Sequence, residues 1–213
     1  MQGNNPSTNY YLGLDCGQAQ DYSALSILRQ EGECYHVVHL ERLPLNMPYP
    51  QQLEKVYQFM NKKPILRANK TLAIDYTGVG RPIVDLARDR GLNPIAIAIS
   101  GGNAVNWNED RTTASVPKRD LVSTMQIFAQ NDRLKVASGL QFGQALAEEL
   151  ASFKVKIDIR TAHDSYGSWR EGSHDDLILA TAIALWTAEN LHAQPNIAIC
   201  RYISTGHSRR QRW

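Results

Sequence analysis

Apolar and polar residues alternate along the chain in patterns that change period several times, and each change marks an element. Residues 10–15 form a short apolar run that ends in an acid and is followed by Gly17 and polar residues, the pattern of a strand entering a loop. Residues 23–29 and 34–42 read as two further strands with Glu31 and Gly32 as the turn between them, which predicts a three-stranded antiparallel meander. Residues 48–62 carry Leu53, Val56, Tyr57 and Met60 on one stripe and predict a helix. A buried-type strand at 71–75 again ends in an acid. After it Gly78 and Gly80 turn the chain into a helix over 82–90, which Gly91 ends.

The second half continues the alternation of helix and strand. Residues 93–99 predict a strand, the polar stretch 100–115 a mobile loop, and Pro117 the first turn of a helix that runs to about 131. Residues 134–136 predict a short strand, and 139–153 carry another apolar helical stripe. In FKVKIDI at 153–159 the apolar residues alternate with charged ones, which predicts a half-exposed strand paired as a hairpin with 166–170. The last strong helix is predicted from Ser173 to about 192. Three strands, then helix–strand–helix–strand and a closing helix, define an α/β fold with a mixed central sheet and helices on both faces. The order matches the RNase H-like plan, in which the fourth strand lies beside the first.

Composition narrows this picture without naming a partner. A chain of 213 residues suits one substantial domain. The division expected is a flexible leader at 1–9, one domain at 10–192 and a basic C-terminal tail at 193–213. A formal net charge of +2 neither announces nor excludes nucleic acid, so local placement decides. Cys16, Cys34 and Cys200 lack metal-ligand spacing and read as reduced thiols. The polar N-terminus lacks a signal-peptide core, and the longest apolar run, around 177–186, is too short to span a bilayer. These features predict a soluble intracellular domain with no membrane partner.

Three acidic positions carry the chemistry. Asp15 and Asp75 end buried-type strands, and Asp175 with Asp176 opens the last helix. An ionised carboxylate near a core costs several kcal/mol unless something offsets it. A divalent cation shared among carboxylates does so, and Mg²⁺ prefers such oxygens. Two such ions roughly 4 Å apart can hold a phosphodiester between them and need no side-chain nucleophile. This suits a chain with no convincing Ser/His/Asp or Cys/His set. Structural alternatives stand beside each acid. Asp15 can satisfy the turn at Gly17, Asp75 can cap the turn at 76–80, and SHDD at 173–176 matches a capping box.

At these residues the chain resembles the C-terminal nuclease domain of phage large terminases. LGLDCG at 12–17, followed by DYSAL at 21–25, resembles their first nuclease motif. LAID at 72–75, with GVG at 78–80 and IVD at 83–85, is similar to the second. VPKRDL at 116–121 resembles the segment these proteins carry before a helix, and HDDLILA at 174–180 their final motif. The similarity runs from about 11 to 191.

The resemblance implies a divalent-metal-dependent endonuclease that cuts concatemeric double-stranded viral DNA during genome packaging, with two Mg²⁺ or Mn²⁺ ions. It assigns metal binding and catalysis to Asp15, Asp75 and an acid of the Asp175–Asp176 pair. Asp176 comes first if Asp175 faces solvent. Asp21 is an outer ligand or water-positioning candidate, and His174 a secondary one. Implied partners are a terminase ATPase domain, a small terminase and a portal, in the cytoplasm of a bacterial host. Because neither Gly101-Gly102 nor GVG at 78–80 is followed by the lysine of a phosphate loop, the chain is expected to be an excised domain or a prophage fragment.

DNA-backbone candidates are Lys118 and Arg119, then Lys154, Lys156 and Arg160 on the expected hairpin, and the tail arginines. Trp107 and Trp169 read as core or loop anchors rather than base-stacking platforms. Two other readings share the fold: a RuvC-type Holliday-junction resolvase, and a catalytically idle module that binds portal or capsid.

Overall fold

The computed structural model describes residues 8–17, 21–78, 80–156 and 175–191. Eight strands form one mixed sheet: β1 (Asn9–Asp15), β2 (Ala24–Glu31), β3 (Cys34–Arg42), β4 (Asn69–Asp75), β5 (Ile95–Ser100), β6 (Asn106–Trp107), β7 (Thr113–Pro117) and β8 (Leu134–Val136). Their spatial order is β6-β7-β5-β4-β1-β2-β3-β8. The predicted meander is present, with β1 antiparallel to β2 and β2 antiparallel to β3. The β2–β3 turn is built on Gly32, whose φ of 60° suits a residue without a Cβ. The fourth strand returns parallel to the first, Leu14 pairing with Ile74.

Helices cover both faces. α1 (Tyr49–Asn61) and α2 (Gly80–Asp89) bury Leu53, Val56, Ile83 and Val84 against one face. α3 (Lys118–Gln130), α4 (Gly143–Lys156) and α5 (Asp176–Asn190) lie on the other, where Leu121, Met125, Leu146, Leu177 and Ile183 share a core with Tyr11 and Ala73. β1 divides its side chains between the two layers. Tyr10, Leu12 and Leu14, with Cys16 just past the strand, join the α1/α2 core, while Tyr11 joins the other. The period of two therefore assigns Gly13 and Asp15 to the α5 face.

α5 is buried over nearly its whole circumference, as its apolar composition requires. It crosses β1 so closely that a Cβ on Gly13 would stand 2.0 Å from the carbonyl oxygen of Ala180. The small side chains of Ala180 and Ala184 and the missing one of Gly13 make this approach possible.

Two sequence expectations are corrected. The stretch 100–115 is not simply a loop: it contains β6 and the start of β7, and β7 pairs parallel with β5. Only Ala114 and Val116 of β7 bring apolar side chains to the core, too short a pattern to stand out among polar neighbours. Trp107 anchors this edge by stacking on Trp186 of α5, ring centroids 5.5 Å apart, and the Arg111 guanidinium lies 4.5 Å from the Trp107 ring centroid. This agrees with its reading as an anchor.

The second correction concerns residues 153–156, which are helical and end α4, where a strand was expected. Once a helix is nucleated each further residue adds a hydrogen bond, so four residues of alternating pattern do not break it. The strand basis for a shared Lys154–Lys156 face is thereby removed. The partner segment 166–170, Arg160, Trp169 and the tail from 193 lie outside the described residues. No helix among the described residues is long and apolar enough to cross a membrane.

Candidate active site

Strand register builds one row of side chains across the α5 face. Asp15 is paired with Ala24 of β2, and Ala24 with Arg42 of β3. On the other side β1 and β4 run parallel, and Asp75 follows the Leu14–Ile74 pair just as Asp15 does. Ala73 belongs to the α5-side core, so the period of two places Asp75 on the same face. The row Asp75, Asp15, Ala24, Arg42 thus crosses four adjacent strands. Neighbouring strands lie about 4.8 Å apart, which brings the two aspartates together although 60 residues separate them in sequence. The N-terminus of α5, with Asp175 and Asp176, sits over this row because Gly13 lets the helix approach β1.

The acids are buried: Asp15, Asp75 and Asp176 are 8%, 7% and 6% exposed. Asp15 has no hydrogen-bond partner for its carboxylate among the described residues. Burial pushes its pKa well above the ordinary value, and the charges of Asp75, Asp175 and Asp176 push it further, with Lys118 opposing them. Asp75 accepts the Thr77 N–H at 2.7 Å and so does hold the turn, as its structural alternative proposed. Gly80, the first residue of α2, packs on the Asp75 backbone, where a Cβ would fall 1.7 Å from the carbonyl oxygen.

The two acids of α5 have different partners. Asp175 occupies the N-cap position but makes no side-chain cap hydrogen bond. Its carboxylate is paired with Lys118 Nζ at 3.1 Å. Asp176 accepts the Arg42 Nε–H at 2.7 Å. Arg42 also donates through Nη2 to Glu149 of α4 at 2.6 Å, and the other oxygen of Glu149 accepts the Ile178 N–H at 2.8 Å. The ground for preferring Asp176, a solvent-facing Asp175, does not hold: Asp175 is part-buried against Lys118. The helix starts at Asp176 rather than Ser173, so the expected capping box does not describe its cap. His174 lies outside the described residues.

Arg42 and Glu149 escaped sequence reasoning. Glu149 reads as one more acid on an amphipathic helix, and Arg42 as the solvated end of a strand. Lys118, expected as a DNA contact, stands beside the acids, paired with Asp175. Arg119 is exposed and donates to the Asn103 carbonyl at 2.8 Å. Asp21 is exposed on the wall of a neighbouring cleft of about 300 Å³, lined also by Gly17, Ser23, Asn46 and Gln52. That cleft contains none of the clustered acids.

Among the described residues no three His, Cys, Asp or Glu side chains stand close enough to close a metal cage. Like charges oppose such closure when nothing neutralises them. The donor set nevertheless fits a hard divalent cation: every candidate ligand is a carboxylate oxygen, and Asp15 is buried with no compensating hydrogen bond among the described residues.

No family sequence model matches the chain, and no curated protein matches it in sequence. Solved structures do. A large terminase from a thermophilic bacteriophage superposes with a TM-score of 0.59 at 12% identity, covering 86% of this chain and 40% of that one. The large terminase nuclease of thermophilic phage G20c with bound magnesium gives 0.56 at 19% identity, covering 85% of this chain and 82% of that one. The human cytomegalovirus terminase nuclease domain, soaked with Mn and inhibitor-bound, gives 0.56 at 12% identity over 88% and 86%. The fold is therefore that of an RNase H-like nuclease domain. Among such domains it is the large-terminase nuclease fold that the chain shares, and the chain spans about two-fifths of the first of these three proteins.

Proposed function

We propose that the chain is a divalent-metal-dependent endonuclease that cuts double-stranded viral DNA during genome packaging. The reading is carried by one observation: register and side-chain parity bring Asp15 and Asp75 side by side on the face that the start of α5 overlies. Asp15, Asp75 and Asp175 would hold the metal, Mg²⁺ or Mn²⁺, with two ions expected. Asp176 is the alternative to Asp175: Arg42 holds its carboxylate at 2.7 Å, as Lys118 holds that of Asp175 at 3.1 Å. When bound, such ions activate a water and stabilise the leaving oxygen of a phosphodiester. The chain's own part is to fix the carboxylates, to exclude water from Asp15 by burial, and to keep Lys118 as a counter-charge beside Asp175. The neighbours with magnesium and with Mn support this choice of metal class. By the same analogy we place the chain beside a terminase ATPase domain, a small terminase and a portal.

The test is plasmid nicking and linear-duplex cleavage in Mg²⁺ and in Mn²⁺, with Asp15→Asn, Asp75→Asn and Asp175→Asn alongside. Cleavage that each substitution reduces at least a hundredfold supports the reading. Undiminished nicking by D15N and D75N in a clean preparation points to the idle module. A strong preference for symmetric cuts in a four-way junction over linear duplex points to a resolvase.

A further inference from the structure

We infer that Glu149, held in place by Arg42, caps α5 in trans, and that the two act as positioning residues that release Asp175 from capping duty for the acidic cluster. The inference rests on the proposed nuclease reading and deepens it. A helix leaves its first N–H groups unpaired, and the N-cap side chain ordinarily accepts one from the second or third helical residue. In α5 the N-cap residue is Asp175 and the third helical residue is Ile178. An aspartate at the N-cap is among the best caps available, yet Asp175 makes no such bond. The Ile178 N–H is instead taken by Glu149, 29 residues earlier and on another helix, at 2.8 Å.

The rest of the arrangement keeps Glu149 in that position. Arg42 donates to Glu149 at 2.6 Å and to Asp176 at 2.7 Å, linking β3, α4 and the first residue of α5. Tyr22 and Phe142 flank its guanidinium, with ring centroids 5.7 and 5.8 Å away. The planar guanidinium suits two carboxylates at once better than an ammonium would. Arg42 also ends the row that begins with Asp75 and Asp15, so the same register that gathers the acids sets the brace. With the Ile178 N–H taken by Glu149 and the Asp176 carboxylate held by Arg42, the Asp175 carboxylate turns to Lys118 and adds its charge to the field on Asp15.

The test combines amide hydrogen exchange with Mn²⁺ titration followed by thermal shift, on the full chain. Glu149→Ala removes both bonds. Glu149→Gln keeps an acceptor for Ile178 while weakening the link to Arg42, and Arg42→Ala removes that link from the other side. In metal-free protein, E149A should lose Ile178 amide protection at least tenfold, and E149Q should retain most of it. The Mn²⁺ concentration for half-maximal stabilisation should rise at least tenfold in E149A and R42A, and less in E149Q. Unchanged Ile178 protection in E149A overturns the trans cap. A lowered melting temperature with an unshifted Mn²⁺ midpoint overturns the positioning role and leaves plain structural support. A wild-type chain that shows no Mn²⁺ response defeats the nuclease reading and, with it, the purpose assigned to the brace. Ile178 protection in E149A and E149Q then still decides whether the cap itself exists.

Discussion

Gly13 of β1 and Ala180 of α5 meet main chain against main chain: a Cβ on residue 13 would lie 2.0 Å from the Ala180 carbonyl oxygen and 3.0 Å from the Ala184 Cβ. No rotamer relieves that contact, because both sides of it are main chain or its first carbon. Gly13→Ala must therefore lift the helix or bend the strand. Overpacking of this kind costs about 1–3 kcal/mol. We expect a loss of that size in denaturant unfolding, and a weakened Mn²⁺ response because Asp175 moves away from Asp15. A G13A protein with unaltered stability would show that α5 does not sit this close to β1.

Asp15 gives a prediction in which stability and activity move oppositely. Its carboxylate is buried beside three other acids and has no hydrogen bond among the described residues to offset the charge. Asp15→Asn removes the charge at constant shape. At neutral pH without metal, D15N should melt higher than wild type, by at least about 2 °C, the shift that about 1 kcal/mol gives at this chain length. With Mn²⁺ present the order should reverse, and DNA cleavage should be lost. A D15N protein that is less stable than wild type in chelator would mean that Asp15 serves the fold rather than a cation.

Much of this arrangement was legible in the sequence, for reasons that differ between residues. Asp15 and Asp75 stood out because each ends an apolar run, and a period of two then fixes their face. Arg42 and Glu149 gave no such signal, because each is ordinary in its own element and their meaning lies in a pairing across 107 residues. The choice between Asp175 and Asp176 was out of reach for the same reason: adjacent acids at a helix start are told apart only by Lys118 and Arg42, which come from other elements. The segment 153–156 misled because a four-residue alternation is compatible with the end of a helix, and the helix had already begun.

Titration of the same groups sets a pH dependence. Burial raises the Glu149 pKa from an ordinary 4.5 to about 7; Asp176 and Asp175 add to the rise, and the Ile178 N–H and Arg42 hold it back. Burial, then Asp75, raises Asp15 in the same direction. A carboxyl whose folded pKa lies above its unfolded value contributes stability that is fully present below the unfolded pKa and is lost as pH rises through the folded one. Metal-free protein should therefore lose stability as pH climbs from about 4.5 to about 7. E149Q, which cannot ionise, should flatten the Glu149 part of that slope. Chemical denaturation at several pH values in chelator reads both. A stability that rises across this window would show that Glu149 ionises easily in the folded state.

Lys118 separates electrostatic compensation from DNA contact. Its ammonium lies 3.1 Å from Asp175 and opposes the upward pressure on the Asp15 pKa. In metal-free protein it partly offsets the charge on Asp15 and Asp175, and a divalent ion would take over that task. Lys118→Met keeps much of the side-chain bulk and removes the charge. It should lower the metal-free melting temperature and enlarge the stabilisation that saturating Mn²⁺ provides, since the ion then has more repulsion to relieve. A lysine that contacted a DNA phosphate would behave differently: its removal would reduce the slope of log affinity against log salt by about 0.9. Because Lys118 is occupied by Asp175, we expect that slope to stay within about 0.3 of wild type, well below the change a lost phosphate contact gives. Salt-dependent binding of duplex DNA in Ca²⁺, set beside the Mn²⁺ thermal-shift series, distinguishes the two roles. A full-sized drop in slope with no change in metal response would return Lys118 to the DNA surface.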